Sequence, residues 1–384
     1  MISAGPEFVS SGPPAPSALP QSGEGLLSRM RNWRDRTLAD PGFRAWAARF
    51  PLTRPIARRR SRALFDLCAG FAYSQVLAAC VSLRVFESLA AGPLTAEALA
   101  PRLGLTAERA ARLCEAAAAL DLLRRRGDRY ALGKLGAAMI GNEGVAAMIR
   151  HHAMLYRDLA DPVELLRREP GETLLAAYWP YGTRGPQGLG ADDVAAYSRL
   201  MASSQPLVAA EILAAYDFRR HRRLLDIGGG EGAFLEAAGV KAPGLERMLF
   251  DLPEVAARAR ARLGAGAQVF GGDMRTDALP AGADLLTLIR VVHDHDDAAA
   301  MDILRNARRA LPPGGSLLVA EPMLDAAGAA PVGAYFTFYL LALGSGRPRR
   351  AETLIAMLRE AGFGRVSMRR TGNPLLASVI VAQA

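Results

Sequence analysis

Four residues, Leu224-Leu225-Asp226-Ile227, lead straight into glycines at 228, 229, 230 and 232. A short apolar strand that ends in glycine turns sharply and brings bare backbone close to a ligand at the start of the next helix. The same rhythm repeats downstream. Apolar segments end at Phe250-Asp251, at Gly271-Gly272-Asp273-Met274, at Arg290 and at Glu321, and helix-length segments separate them. Apolar strands alternating with helices predict a mostly parallel sheet with crossover helices, a Rossmann-like α/β domain from about residue 207 to the end.

The glycines alone are ambiguous, because Gly228-x-Gly230-x-x-Ala233 also satisfies the dinucleotide fingerprint. The acids around them bear on the choice. Asp226 sets a carboxylate beside the loop, where a pyrophosphate is repelled and a cationic ammonium or sulfonium attracted. Asp251, at the end of the next strand, is positioned to accept hydrogen bonds from ribose hydroxyls, and Asp273 to reach an adenine amino group. Strand-end turn chemistry explains any one of these acids, but less readily three on successive strands.

The fourth strand delivers Arg290-Val291-Val292-His293-Asp294-His295-Asp296-Asp297. A histidine at the carboxyl end of a central strand is a candidate general base, since its proton affinity lies near neutral pH. Glu321, at the end of the fifth strand, is a candidate to orient it and to stabilise its charged form. Either Asp296 or Asp297 is expected to cap the following helix. The spacing His293-x-His295-x-Asp297 resembles half of a hydrolase metal site, but its ligand set is incomplete, so no metal is expected. Tyr335, Phe336, Phe338 and Tyr339 form an aromatic segment that suits either a core or a long apolar pocket.

Upstream, residues 1–28 are rich in Pro, Ser and Gly and are expected to be a disordered tail. The formal charge of +9 then proves to be local: between Arg29 and Arg62 stand eleven arginines against two acids, Asp35 and Asp40. The rest of the chain balances, which argues against a general nucleic-acid binder. Trp33, Phe43, Trp46 and Phe50 interleave with these arginines, predicting a basic amphipathic arm over 29–62 suited to anionic lipid, within which a short helix is ended by Pro51 and Pro55.

Residues 63–92 predict apolar helix, buried in its own domain or against another subunit. Thr95 and Thr106 have the pattern of helix N-caps, and a strand, an Arg-Gly-Asp turn and a second strand follow from Leu122 to Leu132. That is the outline of a winged helix over 63–150, with a helical connector over 151–206. Three widely spaced cysteines exclude a disulfide framework and favour a reducing, cytoplasmic setting. No uninterrupted apolar run reaches the ~18 residues of a membrane span, and the N-terminus does not read as a secretion signal.

With these motifs in order and suitably spaced, the chain from about residue 63 onward resembles the class I S-adenosylmethionine-dependent O-methyltransferases. The resemblance implies a Rossmann-like methyltransferase domain preceded by an α-helical winged-helix domain that forms a homodimer. It implies S-adenosyl-L-methionine as cofactor, held by Asp226, Gly228, Gly230, Asp251, Asp273 and Met274. His293 is then the base and Glu321 its helper. Tyr335, Phe336, Phe338, Tyr339 and Met201 are expected to contact substrate.

The arm and the run of acids after His293 resemble the carotenoid-specific branch of that family, implying a hydroxylated carotenoid as substrate and peripheral contact with a membrane. The chain departs from the family in three places. His295 replaces a tryptophan, Ile289 a frequent lysine, and Pro348 a second supporting glutamate. The second departure leaves Arg290 as the cation nearest the cofactor. The third leaves base activation to Glu321 or to an acid not identifiable from sequence. Three other readings remain open: a winged-helix DNA-binding regulator, a nicotinamide-dependent oxidoreductase, and methylation of a polyketide or tetrapyrrole.

Overall fold

The computed structural model describes residues 26–178, 200, 205–326, 328 and 330–384. Met201 therefore lies outside the described residues. The chain divides into two compact units, residues 1–74 and 75–384.

In the first unit, α1 (Leu26–Ala39) and α2 (Pro41–Arg49) are short basic helices. Asp40 starts α2 by accepting a hydrogen bond from the Phe43 N–H at 2.6 Å, with Pro41 opening the helix beside it. The predicted aromatic row exists. Phe43 and Trp46 have ring centroids 5.6 Å apart, and Trp46 stacks on Phe50 at 4.9 Å. Trp33 and Trp46 are nevertheless exposed.

α3 (Arg54–Ser82) is one helix of 29 residues. Pro55 thus sits in its first turn, where the missing N–H costs nothing, instead of ending the preceding helix. The expected border at 62/63 falls inside α3, which also crosses the division between the units. Leu64, Phe65, Leu67 and Phe71 are exposed, so this half of the apolar stretch is not buried in its own chain. By length and composition α3 could cross a membrane, with a best window of mean hydropathy 1.6 that is 11% buried.

The second unit begins with the end of α3 and α4 (Val85–Ser88). β1 (Leu94–Thr95), α5 (Ala96–Leu103), α6 (Ala107–Ala119), β2 (Leu123–Arg126) and β3 (Arg129–Leu132) follow. Thr95 and Thr106 cap α5 and α6 as predicted, each accepting a backbone N–H at 3.3 Å. The strands pair in the order β1-β3-β2, giving the winged-helix outline around a core that includes Phe86, Leu99, Leu123 and Tyr130. α7 (Lys134–Ala137), α8 (Glu143–Asp158), α9 (Pro162–Arg167), α10 (Leu174–Tyr178) and α11 (Gln205–Ala215) continue the chain.

The predicted α/β domain then alternates. Its elements are β4 (Arg223–Ile227), α12 (Ala233–Lys241), β5 (Glu246–Asp251), α13 (Pro253–Leu263), β6 (Gln268–Gly271), β7 (Leu285–Ile289), α14 (Asp297–Ala310) and β8 (Ser316–Glu321). It closes with α15 (Ala330–Leu343), α16 (Ala351–Glu360), β9 (Val366–Arg369) and β10 (Ser378–Gln383). Seven strands order as β6-β5-β4-β7-β8-β10-β9, parallel except for β10, which runs antiparallel to both neighbours.

β7 and β8 are buried at every position, because helices cover both faces of the sheet; hence their apolar runs without alternation. The strand order reverses between β4 and β7. Such a switch point opens a crevice at the carboxyl ends of the strands, where ligands of these sheets bind.

Candidate active site

Two loops flank the switch point. The first, after β4, has left-handed backbone at Gly228 (φ 67°) and Gly230 (φ 58°). Such angles are strained for residues with a Cβ, which explains the glycines. Asp251, buried at the end of β5, accepts the Gly230 N–H at 2.8 Å and its own neighbour's, that of Leu252, at 2.8 Å. The carboxylate thereby fixes the loop. A Cβ added at Gly230 would meet nothing within 4 Å, so this backbone faces open space beside Asp251.

Asp226 is placed differently from its expected position at the mouth of the loop. It is buried beneath it and accepts the Thr287 hydroxyl at 2.6 Å. Burial pushes its carboxyl up to about 7, and its hydrogen bond to Thr287 ties β4 to β7 beneath the loop. Asp273 is held by Arg275 (2.7 Å), whose hydrogen bonds keep the carboxyl below its usual range. Met274 is buried, and its carbonyl accepts the Asn306 side-chain amide at 2.9 Å.

The second loop follows β7 and opens at Arg290, whose φ of 56° is a left-handed angle on a residue with a full side chain. Backbone strain of this kind persists only where surroundings enforce it. Glu321, buried at the end of β8, does much of the enforcing: Oε1 accepts the N–H groups of Val291 (3.1 Å) and Val292 (2.8 Å). Its Oε2 bonds His293 Nδ1.

The other ring nitrogen, Nε2, lies 3.0 Å from Asp294 Oδ1. A ring that donates from both nitrogens is an imidazolium. Burial works against that charge, but the Asp294 and Glu321 carboxylates outweigh it, raising His293 to about 10. Asp294, the residue next to His293 in sequence, thus sets a second carboxylate against the ring besides Glu321. Asp296 proves to be the cap of α14, accepting the Ala299 N–H at 2.9 Å.

His293 and Asp294 face a cavity of about 390 Å³. Tyr335, Phe336 and Tyr339 line it from α15, as expected, but Phe338 does not. Positions 335, 336 and 339 share one helical face, whereas 338 turns away toward solvent. Arg290, expected near the cofactor, also lines this cavity. Among the described residues no cluster of three or more His, Cys, Asp or Glu side chains is arranged to hold a metal ion.

Sequence reasoning passed over two further histidines, of which His152 lines the cavity. On α8, His151 Nε2 bonds the Tyr339 hydroxyl at 3.0 Å, and His152 Nε2 bonds that of Tyr335 at 2.8 Å. Burial lowers both histidines, His151 to about 4, so these rings are neutral where His293 is charged. The adjacent pair of histidines was the available signal, but nothing local shows that tyrosines nearly two hundred residues away are their partners.

Once His293 has given up its Nε2 proton, the site can accept another from a polar group presented by a largely apolar ligand. Beside it lies a glycine loop with acids suited to hydroxyl and amine groups. Comparison with known proteins agrees. Residues 156–364 match the family model of an O-methyltransferase domain, and residues 65–142 that of an O-methyltransferase dimerisation domain. Demethylspheroidene O-methyltransferase of Cereibacter sphaeroides is 44% identical over 88% of this chain and 91% of its own. The enzyme of the same name from Rhodobacter capsulatus is also 44% identical, over 87% and 85%. Among solved structures, human N-acetylserotonin methyltransferase in complex with S-adenosylmethionine aligns with a TM-score of 0.72 at 26% identity, covering 84% of this chain and 97% of that one.

Proposed function

Because this chain belongs to the S-adenosylmethionine-dependent O-methyltransferase family, we propose that it methylates a hydroxyl of an acyclic carotenoid, the tertiary hydroxyl at C1, in carotenoid biosynthesis. The observation that carries the reading is His293, flanked by Asp294 and Glu321, at the polar end of a cavity walled by Tyr335, Phe336 and Tyr339.

The glycine loop, Asp251 and Asp273 fit the cofactor, since an open backbone at Gly230 adjoins carboxylates that can take ribose hydroxyls and an adenine amine. Asp273 meets the amine only by sharing or releasing Arg275. When bound, S-adenosylmethionine would supply a methyl group whose carbon an alcohol oxygen can attack in line, the C–S bond breaking to leave the neutral thioether S-adenosylhomocysteine.

The chain's own residues position that oxygen and take its proton. Nε2 of His293 must first be free of its proton; it then accepts the one from the substrate hydroxyl while Glu321 holds Nδ1 and stabilises the charge that forms. A tertiary alcohol is a very weak acid, so the proton leaves as the new O–C bond forms and not before. Catalysis accordingly rests mainly on alignment.

Two assembly properties accompany the reading. The dimerisation domain and the exposed apolar residues Leu64, Phe65, Leu67 and Phe71 support a homodimer. The arginines of 29–62 with exposed Trp33 and Trp46 support peripheral contact with an anionic membrane, where a carotenoid resides. Deleting residues 1–62 should abolish sedimentation with anionic vesicles, and unchanged sedimentation would refute the membrane contact.

The decisive experiment incubates the protein with labelled S-adenosylmethionine and a panel of hydroxylated carotenoids, read by mass spectrometry. One added methyl on a C1-hydroxylated carotenoid is expected. With polyketide and tetrapyrrole hydroxyls added to the panel, transfer to those alone would overturn the substrate while leaving the reaction class intact.

A further inference from the structure

The loop that carries His293 is held from both sides. Glu321 takes the N–H groups of Val291 and Val292, as described above. The four carbonyls that follow are taken in turn by one short segment, Ser345–Arg349. Arg349 Nη1 donates to Val292 O at 2.7 Å, the Arg347 N–H to His293 O at 2.9 Å, Ser345 Oγ to Asp294 O at 3.1 Å, and Arg349 Nη2 to His295 O at 2.8 Å.

Arg349 is itself buried and anchored on Asp297 Oδ1, at 2.8 Å from Nη2. Gly346, at φ 79°, allows the close approach, because a Cβ there would fall on the His293 carbonyl. No residue of the segment touches the imidazole with a side chain. It grips the backbone beneath the base instead.

We propose that Ser345–Arg349 is a positioning collar for His293 and Asp294, with Arg349 as its principal residue. This rests on the reading of His293 as the base. The physical reason for such a device is the strain at Arg290: a loop entered through left-handed backbone keeps its geometry only while its neighbours enforce it. Two carbonyls three residues apart suit the planar fork of a guanidinium, which donates in fixed directions; a lysine ammonium can serve one of them at a time. Pro348 has no N–H to donate, and in this segment backbone support replaces the side-chain acid that the position lacks.

The test compares Arg349→Lys and Ser345→Ala with wild type and His293→Ala in the full chain, using cofactor-binding calorimetry to count the folded sites. For Arg349→Lys, kcat per folded site should fall by between about tenfold and about a hundredfold, the scale of a small misplacement of a reacting group. The dissociation constant for S-adenosylmethionine should stay within about twofold of wild type. The acid limb of the pH–rate profile should move to lower pH as His293 loses its fixed place between the two carboxylates. Ser345→Ala, which removes one hydrogen bond and should fold, is expected to shift both readouts in the same direction by less.

If His293→Ala is inactive while both collar variants keep the wild-type kcat per site and pH profile, the collar is wrong and the base stands. If His293→Ala methylates normally, the base assignment fails and the collar fails with it.

Discussion

The two loops at the switch point differ in what they offer. Gly228–Gly232 presents backbone: four of its five residues are glycine, the side chain of Glu231 is drawn to Arg258 and Arg262, and Asp251 steadies the loop through the Gly230 N–H. Val291–His295 presents side chains: Glu321 takes the N–H groups of Val291 and Val292, Ser345–Arg349 takes the carbonyls of residues 292–295, and His293 and Asp294 face the cavity. One loop is bare so that a ligand can lie on it. The other is bonded along its backbone from both sides, which restrains the ring it carries. They also touch, since a Cβ at Gly228 would come within 2.8 Å of Val291 Cγ2.

The largest effect expected from this division is on turnover. His293→Ala should lower kcat by about 10²–10⁴-fold and leave calorimetric cofactor affinity unchanged; near-normal methylation would break the division at its strongest point. On the other loop, Asp251→Ala should weaken cofactor binding by roughly ten- to a hundredfold, the scale of one or more hydrogen bonds to a charged group. Loss of kcat at saturating cofactor with unaltered affinity would contradict it.

Asp294→Asn sharpens the comparison through pH. The folded His293 is raised to about 10, so the neutral base is generated as pH climbs, and kcat/KM should still be rising above pH 8. Removing the Asp294 charge should move that limb down by about one to two units; a limb that stays in place would remove Asp294 from the proton's path. In stability the same raised group acts oppositely. Its contribution is complete below its unfolded value near 6.5 and fades as pH rises through the folded one.

The smallest effect concerns neither loop. His151 is lowered to about 4, so its contribution to stability is present above about pH 6.5 and is lost as pH falls toward 4. Denaturant midpoints should decline across that window by on the order of 2–3 kcal/mol of stability. The double variant His151→Phe with Tyr339→Phe should flatten the slope.

Most of the site's address was legible in the sequence. Strand ends announce themselves locally, since an apolar run must stop and a turn must begin, so Asp251, Asp273, His293 and Glu321 were all identifiable. Side-chain direction was less legible. Phe338 belongs to the aromatic segment by composition yet lies outside the cavity, because a helix turns it about 100° per residue away from its neighbours. Asp226 has the right charge in the right motif and is buried instead, because the alternation of a covered strand points it under the loop.

The amino-acid order alone settled the alternation of strands and helices, the glycine loop, the local origin of the +9 charge and the strand-end position of the histidine proposed as the base, all encoded over a few residues. The tertiary fold decided which groups surround that base. Ser345–Arg349 closed around the loop from about fifty residues away, and His151 and His152 met Tyr339 and Tyr335. Those pairings join segments that only packing brings together, and a hydrogen bond leaves no trace in the spacing of residues that far apart.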